Sequence, residues 1–117
     1  MYINTENLIL SEVKQPNEVL TMDITFGKLH ILPSGATEIT SATASAVRWK
    51  RKVPDVKEAA NSFLVSTTPT ILTPNKTSVR IALTGGEHNY DYKVTVLVTF
   101  DNLAKLEREI FVRVREN

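Results

Sequence analysis

The chain has 117 residues, 42% of them hydrophobic, with 14 basic and 13 acidic side chains and no cysteine. A chain of that length is expected to form one domain that buries roughly 65% of its unfolded surface. The composition excludes disulfides and cysteine-based zinc sites, and a net charge of +1 leaves no electrostatic footprint for wrapping nucleic acid or an anionic membrane.

Residues 1–15 mix polar and apolar types around a short run, Leu8, Ile9 and Leu10. Asn4, Glu6 and Asn7 stand where a secretory leader needs positive charge and then a long apolar stretch, so no signal peptide is expected. No apolar run approaches the ~20 residues that span a bilayer. The segment 1–15 reads as an N-terminal arm or an edge strand. As an arm, it orders on assembly by adding a strand to a neighbouring subunit. Pro16 and Asn17 punctuate it, and residues 16–117 form the domain proper.

Val19 to Phe26 alternates, with Leu20, Met22, Ile24 and Phe26 on one side, which predicts a strand. Lys28 to Leu32 reads as a short strand before a Pro33-Ser34-Gly35 turn. Thr37 to Lys50 is rich in Thr, Ser and Ala. Ile39, Val47 and Trp49 share one parity, and the β-branched content favours a strand over the helix that the alanines at 42, 44 and 46 suggest. The single tryptophan, Trp49, is expected in the core or at its edge. Pro54 to Ala60 reads as a loop with one helical turn. Ser62 to Ser66 and Thr70 to Leu72 read as short strands, followed by a turn at Pro74.

From Val79 to Val114 apolar residues fall at nearly every second position: Val79, Ile81 and Leu83; then Tyr92, Val94, Val96, Val98 and Phe100; then Leu106, Ile110, Val112 and Val114. Three such runs predict a three-stranded antiparallel meander with one buried face. The Gly85-Gly86 pair marks a structural turn, and a tyrosine entering the next strand, Tyr92 or Tyr90, is placed to bond back to it as a tyrosine corner. With about seven or eight strands at roughly ten-residue spacing, the fold class is all-β: an Ig-like antiparallel β-sandwich.

The chain carries little catalytic chemistry. His30 and His88 lack neighbours at metal-ligand spacing, and Asp23, Glu38, Asp55 and Asp91 are scattered with no paired carboxylate in one cleft. No Gly-x-Ser-x-Gly elbow occurs, and Gly85-Gly86 lacks the lysine of a phosphate loop. No catalytic, cofactor-binding or metal residue is expected, and the chain does not read as an enzyme. Arg48, Lys50, Arg51 and Lys52 form a basic cluster: either a patch for nucleic acid or an acidic surface of another subunit, or the solvated end of a strand. Phe111 shares the outward parity of the last run with Glu107, Glu109, Arg113 and Arg115, where an aromatic marks an inter-subunit contact. The candidate interface therefore comprises Leu8, Ile9, Leu10, Arg48, Lys50, Arg51, Lys52 and Phe111.

The stretch from Leu83 through Gly85, Gly86, Tyr92 and Val94 to Phe100, then Leu106 to Val114 with Glu107, Arg108 and Ile110, resembles a group of small virion proteins of tailed bacteriophages, the fibre–tail adaptor and related Ig-like structural proteins. Pro16-Asn17-Glu18 ahead of Met22 to Phe26, and the small-residue run from Thr43 to Trp49, extend the likeness from Pro16 to Val114. Two features depart from it: the last turn, Asp101 to Lys105, has no glycine, and residues 53–66 have no counterpart. The resemblance implies a virion protein made in the host cytoplasm, with no catalytic residues. It would sit at the neck or tail, joining fibre or tail components by contacts with other virion proteins and assembling in several copies without nucleic acid or membrane. A capsid decoration protein on the phage head is the alternative. A carbohydrate-binding module is a third reading, but Tyr2, Tyr90 and Trp49 are too few and too scattered to support it.

Overall fold

A computed structural model describes residues 9–26, 35–74 and 76–115. The strand expected over Lys28 to Leu32, together with His30 and Leu8, lies outside the described residues. The described residues form eight strands, β1 (Ile9–Lys14), β2 (Val19–Thr25), β3 (Ile39–Lys50), β4 (Glu58–Ala59), β5 (Thr70–Ile71), β6 (Ser78–Thr84), β7 (Tyr90–Phe100) and β8 (Lys105–Val114), and a 3-10 turn at Asn61–Phe63. They form two sheets, one ordered β1-β8-β7-β3-β4 and one ordered β2-β6-β5. The architecture is an all-β sandwich.

Alternation builds the core. Val94, Val96, Val98 and Phe100 of β7 and Ile110, Val112 and Val114 of β8 all turn inward and are almost fully buried. They meet Ile24, Phe26, Val79, Ile81 and Leu83 of the smaller sheet. The same period of two thus supplies both inner faces, the usual way a sandwich closes its core.

The three-stranded meander does not form. β7 and β8 are a hairpin, but β6 lies in the other sheet and pairs with β2 and β5. The free side of β7 is taken by β3, from Lys50↔Tyr90 to Ile39↔Phe100. A one-sided strand fits either sheet of a sandwich equally well. The connection decides, and Gly85 and Gly86, with φ of +67° and +101°, carry the chain from one sheet to the other.

A β-bulge between Ile39 and Ser41 corrects a second expectation. One extra residue reverses the facing of everything after it. Ile39 is buried, but beyond the bulge Ala42, Ala44 and Ala46 point inward, so Val47 and Trp49 face outward and are half-buried. The expected strand at Ser62 to Ser66 is instead the 3-10 turn followed by a single bridge, Leu64↔Leu83. The loop from Pro54 holds turns and β4 in place of a helical turn.

Among the described residues, two cations are inside. Arg108 occupies an inward position of β8, is 3% exposed and lies 4.7 Å from the Phe26 ring. Lys14 is fully buried, and its Nζ donates to the carbonyls of Gly85 (2.6 Å) and Gln15 (2.9 Å). Buried ammonium groups survive only with such partners. Lys14 also ends β1, which runs parallel to β8 in the register Ile9↔Glu109 to Lys14↔Val114. Of the two expectations for this segment, residues 9–14 form the edge strand, added to β8 within the chain.

The turn between β7 and β8 lacks glycine at a cost. Leu103 takes a φ of +70° and is 81% exposed. Leu103→Gly is expected to stabilise the fold by about 0.5–1 kcal/mol, because the left-handed conformation penalises a side chain more than glycine's extra chain entropy does. Urea denaturation checks this; a loss of stability would mean that the Leu103 side chain packs usefully in the fold.

Candidate interaction surface

The outer face of the larger sheet carries the residues with the most to offer a partner. Trp49 leaves β3 outward because of the bulge, and Phe111 leaves β8 outward by simple parity. Their rings meet edge to face, 6.0 Å apart at 79°, the arrangement that aromatic quadrupoles prefer. The turn after β3 brings Val53 and Val56 beside Trp49, 45% and 62% exposed, in a shallow depression also lined by Lys50, Glu58 and Tyr90. Lys57 holds its Nζ 5.2 Å over the indole. Apolar side chains left this open gain free energy when covered, at roughly 25 cal/mol per Å² removed from water.

The basic cluster divides in two. Arg48 follows the inward alanines and is tied down: it contacts Glu58 at 2.7 Å, Glu87 at 2.8 Å, the Tyr92 hydroxyl at 3.3 Å and the Tyr90 ring at 4.3 Å. The hydrogen bonds that it donates to Tyr92 and Glu87 raise its pKa further above the ordinary arginine value. Arg51 pairs with Asp91 at 3.0 Å and donates to the Val114 carbonyl, closing the end of the sheet. Asp91 is shared with Arg113 at 3.2 Å, and Lys93 pairs with Glu109 at 3.2 Å. Lys50 and Lys52 are exposed, and among the described residues neither has a carboxylate within 4.0 Å. Two members of the cluster are therefore structural clamps, and two remain for solvent or a partner.

Of the other expected interface residues, Ile9 and Leu10 lie in β1 beside Glu109 and Ile110, on the edge next to the strand that carries Phe111. The geometry thus gathers Phe111 and the basic cluster at one end of one sheet, joined through Trp49. Trp49, Val53, Val56 and Lys57 were not anticipated at this surface. Trp49, expected in the core or at its edge, is half-buried and turned to the outer face by the bulge, and the two valines sit in a turn without periodicity. Two valines in a Pro-containing turn were the available signal.

Gly85, Gly86 and Tyr92 serve the fold behind this surface. The Tyr92 hydroxyl accepts a hydrogen bond from the Glu87 backbone N–H at 3.0 Å, and its ring stacks on Phe63 at 4.0 Å and 15°. His88 is exposed, and no group of three metal-ligating side chains gathers among the described residues. Asp23 is held by Arg80 in a two-pronged pair at 2.7 and 3.1 Å, far in sequence from Asp91 and its own arginines. The arrangement offers a contact surface, with apolar rings and valines inside a partly neutralised rim.

A family model described as podophage GP4 fiber-tail adaptor protein gp77 matches residues 14–113. The match begins at the buried Lys14 and ends at Arg113, so it covers nearly all the strands. No curated protein matches the chain. Among solved structures, one similar chain is the crystal structure of the 2,6-sialyltransferase of Vibrionaceae Photobacterium sp. JT-ISH-224, in a ternary complex with the donor product CMP and the acceptor substrate lactose. Identity is 8% and the TM-score 0.47; the alignment covers 94% of this chain and 18% of the sialyltransferase.

Proposed function

The chain belongs to the podophage GP4 fiber-tail adaptor family, gp77, whose members are structural proteins of the phage tail, and from that premise we propose that it joins fibre to tail by protein–protein contacts centred on Trp49 and Phe111. The observation that carries this reading is the family match over residues 14–113. The outward Trp49–Phe111 pair supports this location, since aromatic side chains dominate contact energies in interfaces. The mechanism is complementarity without chemistry: the chain acts as a joint and not as an enzyme. Several copies in a symmetric assembly multiply weak contacts into a lasting attachment. Other virion proteins are the partners, and the site of action is the virion.

The test uses the phage itself. Particles are produced with the Val56→Glu and Phe111→Ser variants, both at exposed positions. Tails are expected to form while attached fibres, counted by electron microscopy, fall by roughly tenfold or more, since one central contact is worth ~1–2 kcal/mol per copy. Wild-type fibre numbers in both variants would remove this surface from the joint. Finding the wild-type chain on head shells and not on tails would replace the adaptor reading with head decoration.

A further inference from the structure

We propose that the occupant of the Trp49–Phe111 surface is an acidic segment of a partner protein, one that places an aromatic or aliphatic side chain between aspartates or glutamates. This deepens the adaptor reading and rests on it only for the partner being a virion component. The inference follows from the way charge is distributed around the apolar floor.

The carboxylates closest to that floor are already engaged. Glu58 and Glu87 are held by Arg48, Asp91 by Arg51 and Arg113, and Glu109 by Lys93. The cations are not matched in the same way. Lys50 lines the depression and Lys52 lines the neighbouring one that shares Lys50 and Tyr90; both are exposed without a carboxylate partner among the described residues, and the Lys57 ammonium sits over the indole. Asp55 is the one nearby acid with no such pair among the described residues. The Lys57 ammonium already donates to the Pro54 carbonyl at 3.0 Å, so a partner that covers Val53, Val56 and Phe111 lies against two ammonium groups without a carboxylate, Lys50 and Lys52. A basic or neutral segment would leave them unpaired in a shrinking volume of water, whereas carboxylates either side of an apolar anchor pair with them and speed the encounter.

The same features argue against nucleic acid. Among the described residues the surface offers no second exposed ring face parallel to Trp49: Phe111 meets it edge to face, and Lys57 lies over the indole. Single strands bind where several bases can stack along a strongly positive groove. Here the two arginines that could strengthen such a groove, Arg48 and Arg51, are consumed by internal ion pairs.

Trp49 is the only tryptophan, so its emission reports directly on this surface. Random 12-residue peptides would be selected on the purified chain, and each enriched sequence titrated against Trp49 fluorescence. The expected winners carry Asp or Glu on both sides of an aromatic or aliphatic residue and shift the emission. They should bind about tenfold more weakly to Lys50→Glu/Lys52→Glu, a variant at exposed positions whose melting curve should match the wild type. Selection of basic or uncharged peptides, or equal binding to the double variant, overturns the proposal. So does a shift of Trp49 emission by a dodecameric oligothymidylate with no peptide response. A light-scattering mass that doubles for the wild type and halves for Val56→Glu also overturns it, because a second copy then covers the surface. Fibre attachment in the particle reads the adaptor role separately: attached fibres with no acidic selection sink this inference alone, and acidic selection with undisturbed attachment in the surface variants removes this surface from the joint and leaves the acidic occupant standing.

Discussion

Tyr92→Ala is expected to destabilise the fold by about 3–5 kcal/mol, the range for deleting a buried aromatic side chain. Tyr92 is 2% exposed, and its ring lies almost parallel to Phe63 at 4.0 Å. Removing it leaves a void under the sheet crossover and strands Phe63 against nothing. Tyr92→Phe separates packing from polarity. It keeps the stack but removes the acceptor of the Glu87 N–H and one contact of Arg48, which retains Glu58 and Glu87. Its cost should be near 1 kcal/mol, because Glu87 is exposed and water can replace the lost bond. Tyr90→Phe, at a half-buried ring on the same strand, should cost less. Urea denaturation of the three variants orders them; a larger loss at Tyr90→Phe than at Tyr92→Phe would place the tyrosine corner at the wrong residue.

Gly86→Ala should cost about 2–4 kcal/mol, against about 1 kcal/mol for Gly85→Ala. Both glycines have positive φ, +101° at Gly86 and +67° at Gly85. The difference is space. A Cβ on Gly86 would stand 2.8 Å from Val114 Cγ2 and 3.0 Å from Phe63 Cε1, while a Cβ on Gly85 meets nothing within 4 Å. Val114 is fully buried at the end of β8 and Phe63 is pinned under Tyr92, so neither can move aside cheaply. Gly86→Ala should therefore couple to Val114→Ala. The double variant should lose less than the two single losses added together, by roughly 1 kcal/mol, as expected for residues in direct contact. Additive losses, or equal costs at the two glycines, would show that backbone conformation alone governs the turn.

These two positions mark how far the sequence can be read. Tyr92 and the glycine pair are visible as punctuation before a long alternating run, and the run itself identifies β7 and β8 without ambiguity. Lys14 and Arg108 were not visible. A lone cation in an apolar pattern looks like an interruption until carbonyls from a distant turn, or a ring such as Phe26, are found around it. The interaction surface was half legible. Phe111 stands outward because nothing disturbs parity along β8, whereas the outward facing of Trp49, expected in the core or at its edge, is hidden because a single bulged residue at Ile39–Ser41 carries no signature in the residues around it. The basic cluster was legible as four charges and not as two clamps and two free rim residues, since Glu58, Glu87 and Asp91 are brought to it from other elements.

Local alternation is a property of neighbouring residues, so the chain alone was enough to determine that it is all-β and one-sided in its strands. Which sheet β6 joins, which way Trp49 faces and which charges cancel depend on partners tens of residues away. Those choices are made only when the two sheets close on each other, because only then do burial and ion pairing distinguish arrangements that are equivalent within a single strand.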